Sequence, residues 1–218
     1  MVDHLFADCG LAALYDSFCG ERGDFDFYLP LVMSAKSVLD VGCGTGALLH
    51  MARAAGHSGR LCGLDPANGM LDQARKRIDI EWVLGDIASA AWRHEFDLVI
   101  MTGNAFQVLI EDNELRTAFT AVKLALDNAG RFVFETRNPS ALEWERWGSH
   151  WAREVTDGNG SLVRMTCDVE RPVVGNTVSF THTFTSPNWE HPQQSRSTLR
   201  FHDVKSLNSL ITNGGFEI

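Results

Sequence analysis

The chain is short of the features that mark several common classes of protein. Its five cysteines, Cys9, Cys19, Cys43, Cys62 and Cys167, are odd in number, include no C-x-x-C, and stand beside no second ligand at zinc spacing. Neither a disulfide framework nor a metal site is expected, and a reducing, cytoplasmic setting fits best. The eight histidines are scattered and form neither a triad nor a metal pattern. Positive charge is scarce: 19 Lys and Arg stand against 28 Asp and Glu, a formal charge of −9. Such a chain is a poor electrostatic match to a phosphate backbone or an anionic membrane, so neither is expected among its partners. The start, Met1-Val2-Asp3-His4, has no basic region ahead of an apolar one, so no signal peptide is read. The apolar runs are strand-sized, too short for a membrane span.

What is present is enough apolar material for a core. With 218 residues, 44% hydrophobic and 22% charged, the chain suits one α/β domain, alone or with a small appendage, and needs no covalent staple. After a helical start with Leu11, Leu14, Tyr15 and Phe18 at helical spacing, strand-like and helix-like segments alternate. Strands are predicted over 37–41, 60–64, 81–84, 96–102 and 131–135, and helices over 47–55, 69–78 and 111–126. Such alternation with short connections specifies a doubly wound, mostly parallel sheet with helices on both faces.

The pattern then breaks. From about Trp151 to Phe201 the period changes to two: Val163, Met165, Cys167 and Val169 alternate with polar neighbours, as do Val178, Phe180, His182 and Phe184. Val174-Gly175-Asn176-Thr177 between them is a tight-turn sequence. This predicts a small antiparallel β insertion after strand five, a hairpin with a third strand over 195–201. An insertion so small is expected to pack on the parallel sheet. A helix over 204–212 and a strand start at 216–218 return to the doubly wound pattern, and stopping there suggests a truncated chain. The expected division is 1–35 as an N-terminal helical cap, 36–140 with 203–218 as the main domain, and 141–202 as the insertion.

The chemistry concentrates at the strand tips. Gly42-Cys43-Gly44-Thr45-Gly46 joins a buried strand to a helix, where glycines allow a sharp turn and the helix offers free N–H groups to a ligand. The first such crossing is where nucleotides bind in doubly wound sheets. Because Ala47 and Asp65 complete a dinucleotide fingerprint, an NAD-dependent oxidoreductase stays open. Asp40, Asp65 and Asp86 at three strand ends weigh against it, since an acidic crevice repels pyrophosphate and suits a ligand with hydroxyls, an amine and positive charge. Each Asp singly can also be no more than a helix cap.

Residues 38–46, Gly63-Leu64-Asp65 with Met70 and Leu71, Gly85-Asp86-Ile87, and 96–102 resemble the four successive motifs of the class I S-adenosylmethionine-dependent methyltransferases. The resemblance covers roughly 36 to 136 and implies a Rossmann-like methyltransferase fold with S-adenosyl-L-methionine as cofactor. It implies that the backbone of Gly42, Gly44 and Gly46 cradles the methionine part while Asp40 holds its amino end. Asp65 would take the ribose hydroxyls, Asp86 and the Ile87 main chain the adenine, and Thr102 with Gly103 would lie near the sulfonium. Asp97 resembles a structural acid.

Residues 101–108 and 132–139 are similar to a bacterial small-molecule subgroup, in which a β insertion roofs the acceptor pocket. A histidine is common there where this chain has Asn104. The resemblance implies methyl transfer to an N or O of a small molecule by direct displacement. Acceptor-side candidates are Tyr15, His182 and Arg137 with Asn138, although buried packing is the better explanation of Tyr15 and His182. Trp144, Trp147 and Trp151 either line an acceptor pocket or fix the insertion to the sheet. A nucleic-acid methyltransferase is disfavoured because the fourth strand ends in Thr102-Gly103-Asn104-Ala105-Phe106 without an Asn/Asp-Pro-Pro-aromatic signature. A cofactor-binding protein without catalysis, and a homodimer formed at an exposed last strand, remain open on the sequence.

Overall fold

Strand β1 (Ser37–Val41) is buried along nearly its whole length, which is why it reads as a continuous apolar run rather than an alternating one. It pairs in parallel with β2 (Arg60–Asp65) on one side and β4 (Phe96–Met101) on the other, so that Val38 lies beside both Leu61 and Leu98. The computed structural model describes residues 2–20, 22–148 and 152–218. With β3 (Glu81–Leu84) and β5 (Leu126–Phe134) the sheet order is β3-β2-β1-β4-β5, all parallel.

Alternate side chains of each strand feed the two faces of this sheet. Val38, Leu61, Leu98 and Ile100 meet α4 (Phe25–Ser34) through Tyr28 and Val32, and α5 (Ala47–Ala54) through Leu48 and Leu49. Leu39, Val41, Leu64, Val99 and Met101 meet Leu115, Phe119 and Val122 of α7 (Asp112–Ala125), with α8 (Val204–Asn213) packed outside. Between β2 and β3, α6 (Asn68–Ala74) places Met70 and Leu71 in the core. Phe216 turns onto Phe119 and Phe132, each ring centroid 5.8 Å away, and residues 216–218 form no strand. That corrects the expected strand start.

The insertion is larger than the predicted hairpin with one added strand. β6 (Ala152–Thr156), β7 (Leu162–Val169), β8 (Thr177–Thr185) and β9 (Gln193–Arg200) form a separate antiparallel sheet in that order. β6 escaped detection because four of its five residues are exposed, leaving no alternation to read. The sheet also packs differently from the expectation. Val163, Met165 and Phe184 are covered by Leu5, Leu11 and Phe18 of three short N-terminal helices, α1 (His4–Ala7), α2 (Cys9–Ala12) and α3 (Tyr15–Cys19), and by Leu14 between α2 and α3. Its other apolar cluster joins Cys167, Val178, Phe180 and Leu199 to Trp144 and Phe201. So the insertion shares its core with the N-terminal segment instead of lying on the parallel sheet.

Polar bonds fasten the two together: the Leu5 N–H donates to Ser195 Oγ at 2.8 Å, and Ser197 Oγ donates to Asp3 Oδ2 at 2.5 Å. Among the described residues no helix is long and apolar enough to cross a membrane, and no cluster of metal-type ligands occurs.

Candidate functional site

The tips of β1, β2 and β4 open into one chamber of about 460 Å³, closed above by the N-terminal helices and the antiparallel sheet. The turn after β1 is held from behind, because the N–H groups of Gly42 and Cys43 donate to the Leu64 carbonyl at 2.8 and 3.2 Å. Gly42 and Gly44 line the chamber. At Gly44, with φ +56, a Cβ would meet only Met70 Cε at 3.9 Å, so the open side faces ligand space. Gly46 differs: at φ +75 a Cβ there would lie 2.3 Å from Trp82. It does not line the chamber, and its lack of a side chain serves packing.

Asp65 secures this turn from β2. Its Oδ2 accepts the Gly44 N–H at 2.8 Å and its Oδ1 the Ala67 N–H at 2.8 Å. Burial pushes its pKa up, against the pull of those two hydrogen bonds. Asp40 is more deeply enclosed, 1% exposed, and its Oδ1 has no hydrogen-bond partner. Burial lifts its pKa to about 7, with Arg22 working downward and Asp65 upward. An orphaned carboxylate facing a chamber invites a cationic or hydrogen-donating ligand group.

Arg22 is a site residue that the sequence patterns missed, since it lies in a loop without periodicity. Its guanidinium pairs with Asp24 at 2.6 Å, sits 4.5 Å from the centroid of Phe25, and reaches to within 3.1 Å of where a Gly103 Cβ would be. Thr102 and Gly103 line the chamber. Asp86 and Ile87 are not on its wall: the exposed Asp86 carboxylate accepts the Ser89 N–H at 2.8 Å, and the Ile87 side chain is in the core. Asp97 binds Lys36 N–H and Ser37 Oγ, both at 2.7 Å, in the structural role expected of it.

Tyr15, Arg137 and His182 all reach the chamber. Burial raises the Tyr15 pKa, so the phenol stays protonated. His182, opposite Cys167 in the β7–β8 register, has its pKa lowered to about 4 by burial and is neutral at pH 7. Arg137 pairs with Glu143 at 3.2 Å, lies 5.3 Å from the Trp147 ring centroid, and donates from Nη1 to Gln107 Oε1 at 3.0 Å. Asn138 instead caps a short turn by accepting the Ser140 N–H. Trp147 lines the chamber, Trp144 belongs to the insertion's core, and Trp151 falls outside the described residues.

Gln107 is the second residue that was missed. It is fully buried, and its Nε2 donates to the Arg200 carbonyl at 3.1 Å, so one amide joins the tip of β5 to the end of β9.

Residues 38–130 match the family model described as a methyltransferase domain. Over that stretch the chain is similar to a methyltransferase domain. A cypemycin N-terminal methyltransferase from Streptomyces sp. is 30% identical over 64% of this chain and 57% of that protein. A malonyl-[acyl-carrier protein] O-methyltransferase from Anoxybacillus flavithermus is 30% identical over 57% of this chain and 49% of its own length. This chain thus spans about half the length of the curated relatives it matches. Among solved structures, S-adenosylmethionine-bound CalS10 from Micromonospora echinaspora, an amino pentose methyltransferase, superposes with TM-score 0.69 at 22% identity, covering 93% of this chain and 88% of that one. At that identity the likeness extends to the fold alone. It places the parallel sheet in a Rossmann-like fold, and none of these matches supports an NAD-dependent oxidoreductase or a non-catalytic binding protein.

Proposed function

We propose that this chain transfers a methyl group from S-adenosylmethionine to a nitrogen or oxygen of a small-molecule acceptor. The observation that carries this is a single chamber running from Asp40, Gly44 and Asp65 to the face of the antiparallel sheet. The donor set fits the cofactor: the unpartnered Asp40 Oδ1 suits its amino end, the open side of Gly44 leaves room for its methionine arm, and Asp65 is placed for hydroxyls. Arg22 adds a cation for its carboxylate. Thr102 lies near the reacting centre, while Asp86 and Ile87, off the chamber wall, are left out of the set.

When bound, the cofactor supplies a methyl group already activated on a sulfonium. The protein's part is to hold the nucleophile in line and exclude water. The N-terminal helices do the excluding, being tied across the chamber by Thr45 Oγ1 to Asp16 Oδ1 at 2.7 Å as well as to β9. His182 is too weak a base to deprotonate an ammonium group, but as a neutral imidazole it can accept a hydrogen bond from the acceptor. Tyr15, protonated, serves as a hydrogen-bonding group and not as a base, and Arg137 with Glu143 orients the acceptor's far end.

In this division 1–35 is the cap, 36–140 with 203–218 the cofactor domain, and 141–202 the acceptor roof. The acidic balance supports a cytoplasmic small-molecule enzyme over one acting on nucleic acid or membrane. The test is incubation with methyl-labelled S-adenosylmethionine and a pool of small amines and alcohols. Release of S-adenosylhomocysteine that depends on the pool and is lost in Asp65→Ala supports the proposal; binding of NAD in place of either cofactor form overturns it.

A further inference from the structure

The acceptor half of the chamber has a composition that selects among small molecules. Its roof is built from alternate residues of three adjacent strands: Met165 and Cys167 from β7, Phe180 and His182 from β8, Ser197 and Leu199 from β9. Of these six only His182 and Ser197 are polar. Ser197 already donates its hydroxyl proton to Asp3, and His182 carries no charge at neutral pH. Trp147 closes the side, with its ring centroid 5.2 Å from that of Phe180, and Phe180 in turn stands 5.1 Å from His182. Charged groups stand at the margins and are engaged. Arg153 donates to the Phe18 and Cys19 carbonyls, and Arg137 is bound to Glu143 and Gln107.

A polyhydroxylated acceptor placed here would surrender water at each hydroxyl to a wall with few groups to replace it, which is costly. A flat, apolar ring loses little and gains contacts with aromatic faces and with the sulfur atoms of Met165 and Cys167.

The chamber also opens sideways. A second, more open cavity of about 430 Å³ shares Arg22, Gly103, Asn104, Arg137 and Glu143 with it and adds Asp24, Glu135 and Asn138. Four of its charges come as two pairs, Arg22 with Asp24 and Arg137 with Glu143, and Glu135 adds a third carboxylate, so it presents donors and acceptors side by side. Thr136 lines it too, and its hydroxyl is buried without a partner. Asn104 stands at the junction in a left-handed conformation, φ +63, with its N–H held by Glu135 Oε1 at 3.1 Å. A ligand that fills both spaces has an apolar head under the roof and a polar tail past Arg137.

Resting on the methyltransferase reading, we infer that the acceptor is an aryl compound, with its ring under the β7–β9 roof and a polar or zwitterionic tail in the adjoining cavity. An amino sugar does not suit this wall.

The experiment is calorimetric titration of the protein saturated with S-adenosylhomocysteine, using tyramine and tryptamine as aryl probes and glucosamine and glycine as polar ones. At least one aryl probe is expected to bind at least about tenfold more tightly than glucosamine. Trp147→Gln is expected to lower that affinity by about tenfold while S-adenosylhomocysteine binding stays as in the parent. Should Trp147→Gln not fold, the probe ranking on the parent protein decides alone. Glucosamine binding as well as or better than both aryl probes overturns the inference, as does no aryl binding at millimolar concentration. Both results leave the methyltransferase reading standing, whereas failure to bind S-adenosylhomocysteine at all removes that reading and this inference with it.

Discussion

Asp65 at the end of β2 accepts the backbone N–H of Gly44 at 2.8 Å, so the acid of one strand tip holds the glycine turn of its neighbour. The same carboxylate accepts the Ala67 N–H. The residue that the resemblance assigns to ligand hydroxyls is therefore also a structural brace, and its removal has two separable effects.

Asp65→Ala leaves the buried Ala67 N–H and the part-buried Gly44 N–H without acceptors, which is expected to lower stability by about 2–4 kcal/mol. Asp65→Asn keeps an acceptor for one of them and is expected to lose about half as much. Urea denaturation reads the stability, and titration with S-adenosylhomocysteine is expected to show weakening in both variants by more than about tenfold.

Asp40 gives a pH dependence of defined sign. Its folded pKa is raised from 3.8 to about 7 by burial. The folded state thus holds its proton more tightly than the unfolded chain. Its stabilising contribution is full below 3.8 and is lost as pH rises through about 7. In ligand-free protein the urea midpoint of the parent is expected to fall relative to Asp40→Asn over that interval. Ligand binding runs the other way. An ammonium group prefers the ionised Asp40, so affinity for S-adenosylhomocysteine is expected to rise about tenfold from one pH unit below that pKa to one above. Asp40→Asn is expected to flatten that rise.

The glycines of one turn are expected to respond differently to the same substitution. Gly46→Ala drives a methyl group into Trp82, 2.3 Å away, at a left-handed φ of +75. A loss of about 2–4 kcal/mol is expected from overpacking and backbone strain together. Gly44→Ala meets open space and is expected to lose only about 1 kcal/mol while impairing cofactor binding. Thermal unfolding with and without S-adenosylhomocysteine separates the two.

Much of this arrangement was legible in the sequence, for identifiable reasons. The run over β1 and the glycines after it announce themselves locally, because a doubly buried strand must be apolar throughout and the turn needs positive φ. The alternation of Val163, Met165 and Cys167 gave β7 in the same way. Gln107 could not be found so: its burial is set by Arg137 and Arg200, 30 and 93 residues away. Arg22 has its meaning only through Gly103 and Asp40, which the fold brings to it. The spacing of Leu11, Leu14 and Phe18 announced an apolar helical face but not its partner, which proved to be the insertion.

Gln107 offers a test of how the roof is positioned. Gln107→Ala removes the acceptor for Arg137 Nη1 and the donor to the Arg200 carbonyl, and is expected to lower stability by about 2–3 kcal/mol. Gln107→Glu retains an acceptor for Arg137. The Ala variant is expected to raise KM for the acceptor with cofactor affinity unchanged, and the Glu variant to restore part of that loss, as steady-state kinetics will show.

The central claim is that the chamber over Asp40, Gly44 and Asp65 binds S-adenosylmethionine. Isothermal titration of the purified chain with S-adenosylhomocysteine, alongside NAD and the Asp65→Ala variant, tests it most directly. Micromolar binding that the variant loses, with no heat from NAD, is the expected result. A folded protein that ignores S-adenosylhomocysteine, or takes NAD in its place, would contradict it.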